Sequence, residues 1–321
     1  MTEEDGTQRI RILVAGASGT IGRAVVRALV EGGHDAVCLL RRSVSGEEAA
    51  RECAASGAGV LFADFGKLEA LREAVREAAP QCVVSCLASR SGSPKDTRAV
   101  DYRANVNLLR AAEHAEAEHF LLLSAICVQK PRLAFQHAKL DFEKELVESA
   151  LDHTIVRPTA FFKSLSGQVA RVAKGKPFLL FGDGELTRCK PISDRDLARF
   201  IANCVSDQEK RNQILPIGGP GPAISPREQG EMLFALTGKE PRYRSISPAL
   251  FDLAARVLSA GSPFSDWLAE KTEYARIAKY YATESMLVLD PVTGEYSAAA
   301  TPEFGSDTLR ARYEQMLAET S

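Results

Sequence analysis

Three glycines in the spacing GxxGxxG, at Gly16, Gly19 and Gly22, stand between an apolar run and an amphipathic one. In that context the first glycine permits a tight turn, and the second lets the backbone approach a pyrophosphate. The third lets the following helix pack close to the strand while its free N–H groups point at the phosphates. Arg41 and Arg42 follow roughly twenty residues beyond the last glycine, where a site for the unphosphorylated dinucleotide would carry a carboxylate. Two guanidiniums chelate a 2′-phosphate that a carboxylate would repel, so the pattern favours NADP over NAD. Asp64, after the third apolar run, has two readings: acceptor for an adenine amino group, or cap of the helix that follows.

The elements that must position these residues alternate. Strands are predicted at 9–15, 35–40, 59–63, 82–87, 119–125 and 153–156, and helices at 20–31, 67–79, 97–116 and 134–149. Repeated β-α units with strands apolar on both faces mean a parallel sheet covered by helices on either side, the doubly wound Rossmann arrangement. The expected division is a dinucleotide-binding core at 9–160 and a smaller, mixed α/β substrate region at 161–317 that partly returns to the core sheet.

Composition bounds the alternatives. The 321 residues carry 40 Lys+Arg against 42 Asp+Glu, a formal charge of −2, which excludes the cationic footprint of a nucleic-acid binder. A hydrophobic fraction of 45% supplies ample core. The longest stretch without Asp, Glu, Lys or Arg, 212–226, contains four prolines and cannot be an integral membrane span. The opening MTEEDGTQR is acidic and lacks the basic start and apolar segment of a secretory signal. Seven cysteines without CxxC pairs suit a reducing compartment, so a cytoplasmic protein is expected, with peripheral membrane association left open. No Cys/His cluster has zinc spacing, and no metal is expected.

With GASGTIG, the arginine pair, Asp64, Lys139 and IVRPTAFF in place, the chain resembles the atypical short-chain dehydrogenase/reductases. The blocks LSAICVQKP (123–131), FQHAKLDFE (135–143), IVRPTAFFKSLSGQ (155–168), FGDGELTRCKPIS (181–193), LPIGGPG (215–221) and YYATESMLVLDPVTGEY (280–296) are similar to the divinyl chlorophyllide 8-vinyl-reductase family. The resemblance implies NADPH-dependent reduction of a vinyl group on a magnesium-chlorin pigment to ethyl. It also implies that Lys139 positions the nicotinamide, that Ser124 is catalytic, and that the cofactor contacts extend to Ser18, Thr20, Ile21, Phe65, Leu87, Ala88, Pro158, Thr159 and Phe161.

One departure from the broader superfamily bears on the chemistry. Its members carry YxxxK, in which tyrosine donates the proton; here the same spacing reads Phe135-Gln-His-Ala-Lys139. A carbonyl reductase needs an acid for the developing alkoxide, so this chain is not expected to reduce ketones. Hydride added to a vinyl terminus instead leaves a carbanion spread over the macrocycle, which a weaker acid can quench. The missing acid equally fits another NADPH-dependent alkene reductase of the isoflavone-reductase type, or a regulator that binds NADP without turnover. His137 and Tyr102 are further candidate donors, each expected to be a surface helix residue.

Past residue 161 the β-α rhythm is lost. Phe161, Phe162 and the run 178–181 are expected to wall an apolar pocket, and Ser193 and Ser225 to start helices. A long helical stretch is predicted at 263–282, with Trp267 and Tyr274 on it. A flat, apolar, anionic pigment suits aromatic walls plus a cation, so Phe135, Phe162, Trp267 and Tyr274 are candidate substrate contacts, with Lys163 or Arg188 for the propionate.

Overall fold

The computed structural model describes residues 9–259 and 265–319. Short apolar runs become β1 (Arg11–Ala15), β2 (Asp35–Leu40), β3 (Gly59–Phe62), β4 (Cys82–Ser85), β5 (His119–Leu123) and β6 (Asp152–Pro158). Between them lie α1 (Thr20–Glu31), α2 (Val44–Ala55), α3 (Leu68–Ala78), α4 (Pro94–Thr97), α5 (Asn105–His114) and α6 (Ala134–Val147). The later chain adds α7 (Phe162–Leu165), α8 (Val169–Ala173), β7 (Phe178–Phe181), α9 (Asp194–Ser206), β8 (Gln213–Ile217), α10 (Pro226–Thr237), β9 (Tyr243–Ile246), α11 (Ala249–Ser259), α12 (Asp266–Thr283) and α13 (Leu309–Ala318).

The main sheet has seven parallel strands in the order β3-β2-β1-β4-β5-β6-β8. Alternate side chains of each strand face opposite layers. Ile12, Val14, Cys38 and Val84 pack with Val25 and Leu29 of α1 and Leu197 and Ile201 of α9. Leu13, Val37 and Val83 pack on the other face with Leu71 and Val75 of α3, Leu108 of α5, and Phe142 and Leu146 of α6. The chain reverses direction along the sheet between β1 and β4, so their C-terminal ends open a crevice where such folds bind ligands.

Three expectations change. No helix was expected between β2 and β3, yet α2 forms there, because Ser43 accepts from the Gly46 N–H as its cap and Ala49 and Cys53 are buried. The predicted helix at 97–116 is interrupted: Arg98–Ala104 is a π-helical turn between α4 and α5. The run Phe178–Phe181 is a strand pairing with β9, not a pocket wall, and Phe178 and Leu180 are core residues against Leu233 and Phe234.

Candidate active site

The glycine turn, Arg41, Arg42, Asp64, Leu87 and Pro158 lie at or just past the C-terminal ends of the sheet strands. Gly16 ends β1 with φ +84°, and a Cβ on it would lie 2.6 Å from the Cys86 carbonyl oxygen. A Cβ on Gly22 would lie 2.2 Å from the Gly16 carbonyl oxygen, so this glycine lets α1 sit against its own turn. Gly19 is different: its ideal Cβ meets no protein atom closer than the Gly16 oxygen at 3.4 Å. It is the N-cap of α1, a helix with no side-chain cap and no acidic residue in its first turn. Open space before uncapped N–H groups fits a dinucleotide pyrophosphate. Ser18, Thr20 and Ile21 lie in the same turn and first helical residues.

Arg41 and Arg42 leave β2 exposed, and the Arg42 guanidinium stacks 4.8 Å from the Phe62 ring centroid. Asp64 does not cap the helix that follows. Its Oδ1 accepts from the Gly66 N–H at 2.9 Å inside the loop, and the cap position of α3 is Lys67. Phe65 beside it is buried against α3 and α5. Leu87 and Ala88 follow β4 in the same row of strand ends.

Lys139 projects from α6 and is nearly buried, its Nζ 2.9 Å from the Asp101 carboxylate on the π-helical turn. Asp101 also accepts from the Ser89 N–H at 3.1 Å, tying the loop after β4 to the lysine. One turn later on α6, buried Glu143 accepts from the Ser124 hydroxyl and pairs with Arg157 of β6. The Ser124 hydroxyl thus ties the end of β5 to α6 through Glu143. Asp101 and Glu143 were missed from sequence, since each is meaningful only through a partner far along the chain.

Pro158 ends β6, and Thr159 is buried with its hydroxyl donating to the Lys190 carbonyl. Phe161 packs half-buried on the sheet, and Phe162 belongs to the core formed with β7, α10 and α13. Lys163 does not face the aromatic residues: its Nζ lies 3.2 Å from the Thr20 hydroxyl at the start of α1. Arg188 is engaged by Glu185 and Glu228. Trp267 and Tyr274 on α12 are 61% and 65% exposed, so neither is core. His137 is exposed, and Tyr102 donates to Glu145 on the surface.

Phe135 stands in the first turn of α6, packed against Ile126, Leu133, Tyr280 and Met286. The partly buried Ala125, Phe135, Ala160, Leu165 and Ile277 belong to the same apolar lining, which joins the ends of β5 and β6 to α6 and α12. This apolar cluster near Lys139, here termed the bowl, is built from segments more than 100 residues apart.

A glycine cradle, a switch point and a lysine at the end of a doubly wound sheet define a nicotinamide dinucleotide-binding protein. Residues 16–208 match the NAD(P)H-binding family model. Over 319 residues the chain is 49% identical to divinyl chlorophyllide a 8-vinyl-reductase, chloroplastic, of Cucumis sativus, covering 96% of this chain and 76% of that one. The Arabidopsis thaliana protein of the same description is 46% identical over 322 residues, 97% of this chain and 77% of that one. The chain belongs to the divinyl chlorophyllide a 8-vinyl-reductase family. In fold alone it is similar to an Escherichia coli NADPH-dependent quinone oxidoreductase complexed with NADPH (18% identity, 96% and 99% of the two chains, TM-score 0.70). The expected cytoplasmic location is overturned, since these relatives are chloroplastic; acidity of the first nine residues and cysteine usage do not report on compartment in this family.

Proposed function

We propose that this protein reduces the 8-vinyl group of divinyl chlorophyllide or protochlorophyllide to ethyl, on the way to chlorophyll or bacteriochlorophyll. The observation that carries this reading is 46–50% identity over about 96% of the chain to reductases of that description. NADPH, when bound, supplies the hydride. Residues 9–160 form its binding core, with 161–317 contributing the substrate side.

The residues divide the work by position. Backbone N–H groups at the start of α1 hold the pyrophosphate, with Gly19 leaving the space for it. Arg41 and Arg42 hold the 2′-phosphate, and Lys139, fixed by Asp101, orients the nicotinamide ribose. Ser124 acts as a positioning residue through Glu143. Phe135 keeps the bowl apolar, which suits the face of a macrocycle and excludes water from the site of hydride delivery. Lys163, beside Thr20, is at the phosphate end of the crevice and away from a pigment propionate. Within the superfamily we place the chain among the atypical short-chain dehydrogenase/reductases, its lysine kept and its tyrosine replaced.

The test is direct. Purified protein with NADPH and divinyl chlorophyllide a should give the monovinyl pigment, seen as a shift of its blue absorption band and oxidation of one NADPH per pigment. Tight NADPH binding with no pigment conversion would instead favour a dinucleotide-sensing regulator. Conversion of smaller phenylpropenoid alkenes, but not the pigment, would favour the isoflavone-reductase type.

A further inference from the structure

The reaction needs a proton as well as a hydride, and the usual donor is Phe135 here. The bowl offers several exchangeable protons, and most are committed. Ser124 donates to Glu143, and Lys139 is held by Asp101. The Tyr280 hydroxyl donates to the carbonyls of Cys127 and Lys130, at 2.9 and 3.1 Å. Tyr281 is placed otherwise. Its hydroxyl faces the Cys127 sulfur at 3.8 Å, a contact in which either atom can be the donor, and thiol sulfur is a weak acceptor.

The element that carries Tyr281 is fixed over the crevice. Buried Glu273 of α12 accepts from the Ala134 N–H at the start of α6, at 2.9 Å. Ile277 lies against Gly92 in the loop after β4, so close that a Cβ there would come within 2.7 Å of its Cδ1. Tyr280 adds its two bonds to the turn after β5. Three anchors on the segments that follow β4 and β5 make α12 the roof of the bowl.

The outward side of that roof is aromatic. Trp267, Tyr274 and Tyr281 follow at seven-residue steps, which places them along one side of the helix. Trp267 and Tyr274 are 61% and 65% exposed and Tyr281, whose hydroxyl reaches Cys127, is 46% exposed. A flat pigment seated in the bowl and extending along this row would pass the Tyr281 hydroxyl, and the exposed part of that ring leaves a route for proton return.

We propose that Tyr281 is the proton donor of the vinyl reduction. The proposal rests on the reading of this protein as a vinyl reductase. Hydride adds to the terminal vinyl carbon, and the electron pair of the former double bond passes to the ring-attached carbon and the macrocycle. The Tyr281 O–H bond breaks as a C–H bond forms at that carbon, giving the ethyl group and a phenolate that water reprotonates. Burial of the hydroxyl beside Cys127 raises the phenol well above its ordinary value, so it is fully protonated at neutral pH. A carbanion is a far stronger base than phenolate and accepts from it regardless.

Tyr281→Phe in the full chain tests this with divinyl chlorophyllide a. Expected is a loss of kcat of ~100-fold or more, within the range of one general acid, with the dissociation constants of pigment and of NADPH changed less than twofold. A second readout separates chemistry from packing. In deuterated water the wild-type protein should place one deuterium on the ring-attached carbon with a single configuration, and Tyr281→Phe should give both configurations, as solvent quenching would. Retention of kcat within threefold together with a single configuration would overturn the assignment. Loss of that stereochemistry in Cys127→Ala, but not in Tyr281→Phe, would also overturn it and give the role to the thiol. Absence of pigment turnover by the wild-type protein would strike the underlying reading, a distinct outcome.

Discussion

The Lys139 ammonium lies 2.9 Å from the Asp101 carboxylate, and both side chains are almost wholly buried. The lysine comes from α6 and the aspartate from a π-helical turn, a rare conformation concentrated at functional sites. Asp101 also receives the Ser89 N–H, so the orientation of the lysine is coupled to the loop after β4. The helix α6 and the loop after β4 thus share one ion pair.

Asp101→Asn should therefore cost more than an ordinary surface change. The amide keeps an acceptor for Ser89 but leaves a buried ammonium unpaired, a situation worth about 3–5 kcal/mol. Urea unfolding should show the midpoint falling for Asp101→Asn and largely recovering in Asp101→Asn combined with Lys139→Met. Equal losses in single and double variants would show that the pair is not energetically coupled.

Replacement of both Arg41 and Arg42 by alanine should raise the KM for NADPH strongly and leave that for NADH nearly unchanged. Each charge-assisted contact to the 2′-phosphate is worth about 1.5–3 kcal/mol. Steady-state kinetics with the two cofactors check it, and equal losses with both would remove the arginines from the site.

The three glycines of the turn should respond differently. Gly16→Ala and Gly22→Ala force a Cβ into backbone oxygens at 2.6 and 2.2 Å, so both should express poorly or unfold early. Gly19→Val meets no such obstacle from the protein and should fold normally, yet lose NADPH binding because its branches fill the pyrophosphate space. Circular dichroism and a binding titration on the same sample separate the two effects. Normal NADPH affinity in a folded Gly19→Val would place the pyrophosphate elsewhere.

How much of this was legible in sequence follows from the range of the interactions. The strands and α1 are written locally: α1 begins after Gly19 and ends at Gly32, with Val25 and Leu29 facing the core. The arrangement α2 adopts was not legible because its buried side is only Gly46, Ala49 and Cys53, too small to print a stripe. Asp101 read as one more charge in a polar helix. Its burial depends on Lys139 arriving from another element. Tyr281 and Cys127 are 154 residues apart, and nothing near either one announces the other. The place of Lys163 was not legible for the same reason, since its neighbour Thr20 is 143 residues away.

Acid should destabilise the protein through His119. This residue is buried in β5, its Nε2 2.9 Å from the Thr154 hydroxyl, which itself donates to the Lys210 carbonyl. Nε2 must then carry the proton, and the ring is held neutral. Burial lowers its pKa from 6.5 to about 4. A base with a depressed folded value binds its proton first in the unfolded chain, so stability is complete above pH ~6.5 and falls towards pH ~4. The difference corresponds to about 3 kcal/mol. Subtracting the denaturation series of His119→Gln from that of the wild-type protein isolates it, and parallel curves from pH 7.5 to 4.5 would contradict it.

The replacement of the usual acid by Phe135 sets the last expectation. Phe135 packs against Ile126, Leu133, Tyr280 and Met286, and it sits four residues before Lys139 on the same helix. Phe135→Tyr would restore the superfamily's pattern, but it places a hydroxyl where Phe135 packs on a mainly apolar cluster. If the proton arrives from α12 above the bowl, the added hydroxyl has nothing to do, and the rate of vinyl reduction should stay level or fall. Lys139→Ala, by contrast, should lower kcat/KM roughly tenfold or more, since misplacing a reacting ring by ~1 Å can cost ~100-fold. The two substitutions share one environment and control for each other under saturating NADPH. A faster Phe135→Tyr would mean that the site accepts its proton from the first turn of α6 after all. The bowl would then keep its place as the seat of the reaction, and Tyr281 would lose the role of donor.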